Sequence, residues 1–167
     1  SSSATLSFVH GTDGVVLDST YPIYKFEFIN IHPANDSSRF YFQGSTDGGS
    51  NYGITITSTF FKAIHNEADS VTALSYDAGN DLAQSTSYQQ LTLDADLGAD
   101  NDQSLSGELT LYNPSSTTFV KHFMSITSNA ENTDYASQRF ASGYGNTTSA
   151  VDAVIFRMAS GNIDAGD

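Results

Sequence analysis

Residues 53–64, GITITSTFFKAI, decide between two kinds of protein. Read as a strand, Ile54, Ile56, Phe60 and Ile64 share one face, and Thr55, Thr57 and Thr59 share the other. That is the period of two of a half-buried β-strand. Read as a helix, Phe60 and Ile64 pair four residues apart, but nothing extends the stripe. The β-branched threonines favour the strand, because two heavy atoms on Cβ restrict χ1 in a helix and pack well on a pleated surface. The stretch is therefore expected to be a strand.

Working outward, the same alternation recurs. In YKFEFINI (24–31), Tyr24, Phe26 and Phe28 oppose Lys25, Glu27 and Ile29, and His32-Pro33 is expected to end the strand, since proline cannot donate to a ladder. RFYFQ (39–43) repeats the aromatic pattern. Leu105, Leu109 and Leu111 oppose Ser106, Glu108 and Thr110. Shorter runs at 4–9, 71–76, 88–93, 119–126, 135–144 and 151–158 complete a set of about nine or ten strands, with turn chemistry every 8–12 residues or so. HGTDG, GSTDGGSN and NPSS supply the turns. The expectation is one all-β domain over residues 1–167, an antiparallel β-sandwich that is jelly-roll-like. Ser1 is not an initiator Met and the closing ASGNIDAGD is turn-type, so the sequence reads as the ordered part of a longer chain.

Composition narrows the function. Charged residues make up only 15% of the 167, and Ser, Thr, Asn and Gly take their place, as exposed strand faces and turns require. Six Lys plus Arg against 19 Asp plus Glu leave a net charge of −13. Such a surface repels phosphate backbones and anionic lipid, so neither nucleic acid nor membrane is an expected partner. The chain has no Cys, which excludes disulfides and thiolate metal sites. No apolar run approaches the roughly 20 residues of a membrane helix.

The candidate chemistry is sparse. Within LTLDADLGADNDQSLSGELTLYNPSS (91–116), Asp94, Asp96, Asp100 and Asp102 cluster as a calcium loop would hold them. The spacing fails the EF-hand template, which wants Gly where this chain has Ala99 and Glu where it has Leu105. The other reading is a solvated acidic connection between strands that keeps their edges from pairing with other chains. Asp77 to Asp81 would share the ion if the loops met. Asp13 and Asp47, beside glycines, read as turn residues. A glycosidase would need two juxtaposed carboxyls, and Glu27 and Glu108 are the pair most able to oppose each other. His10, His32, His65 and His122 are not joined by a G-x-S-x-G elbow, and His32 and His122 read as structural. GSTDGGSNYG lacks the lysine and following helix of a phosphate loop. Tyr41, Tyr52, Tyr76, Tyr88, Tyr112, Tyr135 and Tyr144 border turns. They suit either strand-end packing or a loop-end recognition surface, because tyrosine joins a large contact area to a polar tip.

FEFINIHPAND, FQGSTDGGSNYGITITSTFF, DNDQSLSGELTLYNPSSTTFVKHF and TTSAVDAVIFRMASGNIDAG together resemble a family of virion structural domains of marine tailed phages, including cyanophages. These domains form the exposed C-terminal part of fibre-like or decoration-like proteins. The resemblance covers residues 5–166 and implies a place on the virion surface, on capsid or tail, among other virion proteins. It implies no chemistry and carries no site residue. The resulting expectation is a non-enzymatic capsid-decoration or tail-fibre module, assembled as a homotrimer. Its alternatives are a host-glycan receptor-binding domain or carbohydrate-binding module, and, further off, a capsule depolymerase.

Overall fold

The computed structural model describes residues 2–92 and 97–166, which contain eleven strands and no helix. These are β1 (Thr5–Val9), β2 (Ile23–Pro33), β3 (Phe40–Ser45), β4 (Ile56–Asn66), β5 (Thr72–Tyr76), β6 (Gln89–Gln90), β7 (Leu105–Tyr112), β8 (Lys121–Ala130), β9 (Tyr135–Gly145), β10 (Ala153–Met158) and β11 (Ile163–Ala165). They form a four-stranded sheet, β1-β10-β3-β6, and a seven-stranded sheet, β11-β2-β7-β8-β9-β4-β5, antiparallel throughout. This is the all-β sandwich expected from the alternation. Consecutive strands β7, β8 and β9 make a meander within the larger sheet, and a jelly-roll connectivity is not assigned to this order.

The ambiguous stretch is strand β4, with Ile56 and Phe60 completely buried and Thr59 and Phe61 exposed. The sheets meet over an aromatic core centred on Phe156 of β10, whose ring lies 5.2 Å from both Phe26 and Phe28 of β2 and 5.8 Å from Phe40 of β3. Phe42 reaches across to Phe123 of β8 at 4.9 Å. Aromatic pairs of this kind, tilted, edge-on or stacked, add roughly 0.5–1.5 kcal/mol each beyond the area they bury.

Strand β2 ends at Pro33 as expected, its last two residues paired with β11, but three details of the fold depart from strict alternation. Between Phe28 and Ile31 strand β2 is bulged, with Asn30 at a φ of 54°, so Phe28 and Ile31 both point into the core. The strand expected at 88–93 shrinks to Gln89–Gln90 among the described residues. Part of the turn-type tail is itself a strand: Ile163 is buried against β2 while Asp164 and Ala165 are exposed.

Four strands cannot cover seven. Residues 77–92 close the uncovered side. They run along the free edge of β4, where Ile56 and Ser85 exchange backbone hydrogen bonds and Ser58 N donates to the Leu82 carbonyl at 2.9 Å. They then cross to the edge of β3 as β6. The segment is half-buried or exposed over most of residues 77–88 and enclosed at 89–92, and the backbone on its inner side needs partners. Gln43 supplies several, its Nε2 donating to the carbonyls of Ile54, Thr86 and Ser87 at 3.2, 3.1 and 2.9 Å. The Thr127 hydroxyl donates to Leu91 O at 2.7 Å, and the Ser58 hydroxyl accepts from Leu82 N at 2.9 Å. These polar side chains are buried because the cover above them is backbone.

Two outcomes follow from this packing. Gln43→Leu keeps the volume and strands the carbonyls, so it is expected to destabilise the fold by about 3 kcal/mol, seen as a lower urea midpoint at unchanged slope. Lys121 has no exposed surface, and its amine donates to Phe119 O and Thr147 O at 2.7 and 3.2 Å. Burial holds that amine below its ordinary value of 10.5. Between the lowered value and 10.5 the unfolded chain holds a proton that the folded chain has released, so stability rises with pH across that interval. Urea unfolding from about pH 8 to about pH 10.5 is expected to reveal this rise in the native chain and not in Lys121→Met; parallel curves would refute it.

Candidate functional site

Of the four aspartates read as a calcium loop, Asp94 and Asp96 lie outside the described residues. Asp100 and Asp102 are exposed in the connection before β7. His32 binds this connection through its Nε2, 3.1 Å from the Asp100 carbonyl, which fits its structural reading. Asp102 borders an open depression of about 500 Å³ shared with His65, Glu67, Glu131 and Asp134. Glu131 is not available there, because its carboxylate accepts from Arg139 at 2.6 Å in a nearly enclosed pair. Among the described residues no group of three or more His, Asp or Glu is placed to hold one ion. The second acidic stretch is occupied elsewhere: Asp77 pairs with Lys62 at 3.3 Å, and Asp81 accepts from the Tyr76 hydroxyl.

Glu27 and Glu108 do face each other, as register partners on β2 and β7. They stand on an open sheet face, and Glu108 is bonded to Lys25 at 2.8 Å, which raises the Lys25 amine above its ordinary value. Nothing there excludes water from a proton-transfer pair. Among the histidines, His65 lies 3.0 Å from Asp69 on an exposed turn, His10 Nδ1 accepts from Leu17 N, and the His122 ring packs edge-on against Tyr144.

The tyrosines separate into groups. Tyr112 and Tyr144 border a mainly apolar depression of about 490 Å³ with His122 and Met124, on the outer face of the larger sheet. On that face one register row runs Ile126, Phe140, Phe61, Tyr76 across β8, β9, β4 and β5. Phe61 and Phe140 stack nearly parallel at 4.6 Å. Met124 and Tyr76 are more than half exposed.

Tyr41 and Tyr88 meet at the other sheet, their rings 6.4 Å apart, and line an open cleft of about 390 Å³. Its position follows from register. Arg157 of β10, Tyr41 of β3 and Gln90 of β6 are successive cross-strand partners, so a row of the smaller sheet presents them side by side on its outer face. The bridge at 77–92 walls the cleft with Asn80, Asp81 and Tyr88. Arg157 sits over the Tyr88 ring at 5.2 Å, a cation–π contact. Beneath the cleft, Asn80 Oδ1 and Gln90 Nε2 are buried without a hydrogen-bond partner, an arrangement that costs about 1–3 kcal/mol for each group left unpaired. Sequence reasoning singled out Tyr41 and Tyr88 and missed Arg157, Asn80 and Gln90. A lone arginine inside the strand pattern IFRM carries no signal until its neighbours across the sheet are known.

Comparison with protein-family models, with curated proteins and with solved structures finds no match.

The glycine-rich turn at 44–51 behaves as a turn and carries its own anion. Asp47 accepts from Asn51 N at 2.9 Å, Asn51 Nδ2 at 2.7 Å and the Ser45 hydroxyl at 2.7 Å. The Asn51 amide, then the Ser45 hydroxyl, hold its carboxyl down at about 2 against the usual 3.8. The ionised carboxylate therefore steadies the turn above pH 3.8, and that support is lost as pH falls through about 2. Carboxyl-carbon NMR is expected to give an Asp47 midpoint near 2, with the Asn51 amide shift moving in step; a midpoint at 3.8 would mean the turn is open in solution.

Proposed function

We propose that this chain is a non-enzymatic module of a phage virion surface, on capsid or tail, that assembles as a homotrimer through the outer face of its larger sheet. One observation carries the assembly: the row Ile126, Phe140, Phe61, Tyr76, exposed at all but the half-buried Phe140, with Met124 beside it. Exposed apolar residues in a contiguous group mark contact surfaces, whereas scattered ones do not. A second copy is the fitting occupant, because the four residues from β8 to β5 carry no charge, the carboxylates of Glu108 and Glu27 continuing the row only on β7 and β2, and a contact there avoids most of the repulsion that two surfaces of net charge −13 would otherwise meet. The virion location comes from the resemblance of the sequence phrases, and other virion proteins would be the remaining partners.

The tyrosine cleft favours a second reading, in which the exposed module also grips a host surface glycan. A depolymerase is disfavoured by Glu27 and Glu108, which meet on an open face where Lys25 neutralises one of them.

Sedimentation at micromolar concentration is expected to give a trimer, and Phe61→Lys with Met124→Lys to give a monomer whose melting temperature is little changed. A monomeric native chain would count against the assembly. Locating the chain in density of an intact particle checks the virion assignment, and its absence from purified particles would overturn it.

A further inference from the structure

Resting on the glycan reading above, we infer that the cleft formed by Tyr41, Tyr88 and Arg157 is a saccharide subsite that takes a sugar unit bearing a carboxylate, such as a hexuronate. The argument begins with the scarcity of cations. The chain has six Lys and Arg. Lys25, Lys62 and Arg139 are paired with Glu108, Asp77 and Glu131. Lys121 is enclosed with two carbonyls, and Arg39 is engaged within the chain. Arg157 stands apart from these. Its Nε donates to Met158 O at 3.0 Å, and its guanidinium rests on Tyr88. Among the described residues it forms no ion pair, although Asp81 lines the same cleft. A half-buried guanidinium left without a carboxylate, in a chain with 19 of them, keeps its terminal N–H fork for an external one.

The surroundings suit a sugar better than a bare anion. Tyr41 offers its ring to the apolar side of a pyranose, while Tyr88 carries the Arg157 guanidinium on one face and walls the cleft. Asp81, Asn80, Ser87 and Gln90 line the cleft with polar groups of both kinds, although Asn80 Oδ1 and Gln90 Nε2 are themselves enclosed in its floor. The net charge limits the ligand further. At low salt a long polyuronide is repelled by the whole surface, whereas a single acidic unit in an otherwise neutral oligosaccharide meets mainly the local guanidinium. The preferred ligand is thus a glycan with isolated acidic residues.

The test is calorimetric titration of the full chain with an oligosaccharide containing one hexuronate, and with the same oligosaccharide after that carboxyl is reduced to the alcohol. The acidic form is expected to bind roughly tenfold or more tightly than the reduced one. Arg157→Gln is expected to abolish that difference while leaving the melting temperature unchanged. Arg157→Lys is expected to restore only part of it, because the fork is lost. Tyr88→Ala is expected to weaken both ligands. Equal binding of the two forms, unaffected by Arg157→Gln, would overturn the carboxylate subsite and leave the glycan reading intact. Discrimination that survives both Arg157→Gln and Tyr88→Ala would move the site elsewhere. Failure of both forms to bind would remove the subsite, and binding of other host glycans by the same chain would then show whether the broader reading survives.

Discussion

The inequality of the two sheets governs this molecule. A seven-stranded layer facing a four-stranded one leaves part of an inner face that no strand covers, and water on that face would forfeit the burial that holds the sandwich together. Residues 77–92 fill the gap, yet an irregular chain brings backbone donors and acceptors into a buried setting. The solution is visible in the side chains beneath it. Gln43, Ser58 and Thr127 stand at positions where a sandwich would ordinarily place aliphatic residues, and each is bonded to the backbone of the bridge or of its flanks. The core is aromatic where sheet meets sheet and polar where sheet meets bridge.

The cleft is a by-product of the same arrangement. Because the bridge must cross from the edge of β4 to the edge of β3, it rises beside the outer face of the smaller sheet and turns a flat row of side chains into a walled depression. The apolar row and the cleft lie on different sheets and adjoin only where Tyr76 donates to Asp81, so the proposed contact between copies would leave most of the cleft open. The charge distribution is consistent with this division. Carboxylates outnumber cations and discourage unspecific association, so the surfaces proposed for contact are those where charge is absent, on the β8-to-β5 part of the apolar row, or where a cation is left over, at Arg157.

Much of the fold was legible in the residues, for a physical reason: burial on one face of a strand imposes a period of two, and that period survives in the sequence. Phe26, Phe28, Leu105, Leu109, Ile56 and Phe60 all face inward as the alternation requires. The failures occur where alternation is locally broken or too short to register. Ile31 would have been placed outward beside Ile29, but the bulge at Asn30 adds one residue and reverses the phase. β11 offers one buried residue, and one residue has no period. The bridge was read partly as a strand, since apolar and polar residues mix there too, although its partners are side chains more often than a ladder.

The sequence by itself determined the strand faces, the turns, the absence of disulfides and the strongly acidic character, because each of these depends on local composition or on neighbours a few positions apart. It also raised Glu27 and Glu108 as facing carboxylates, and register made them partners. What only the tertiary structure decided is which distant side chains share a surface. Tyr41, Gln90 and Arg157 are far apart along the chain and adjacent across the sheet, as Ile126, Phe140, Phe61 and Tyr76 are on the opposite layer. Strand order and register set those neighbours, and both are fixed by the global packing of two unequal sheets.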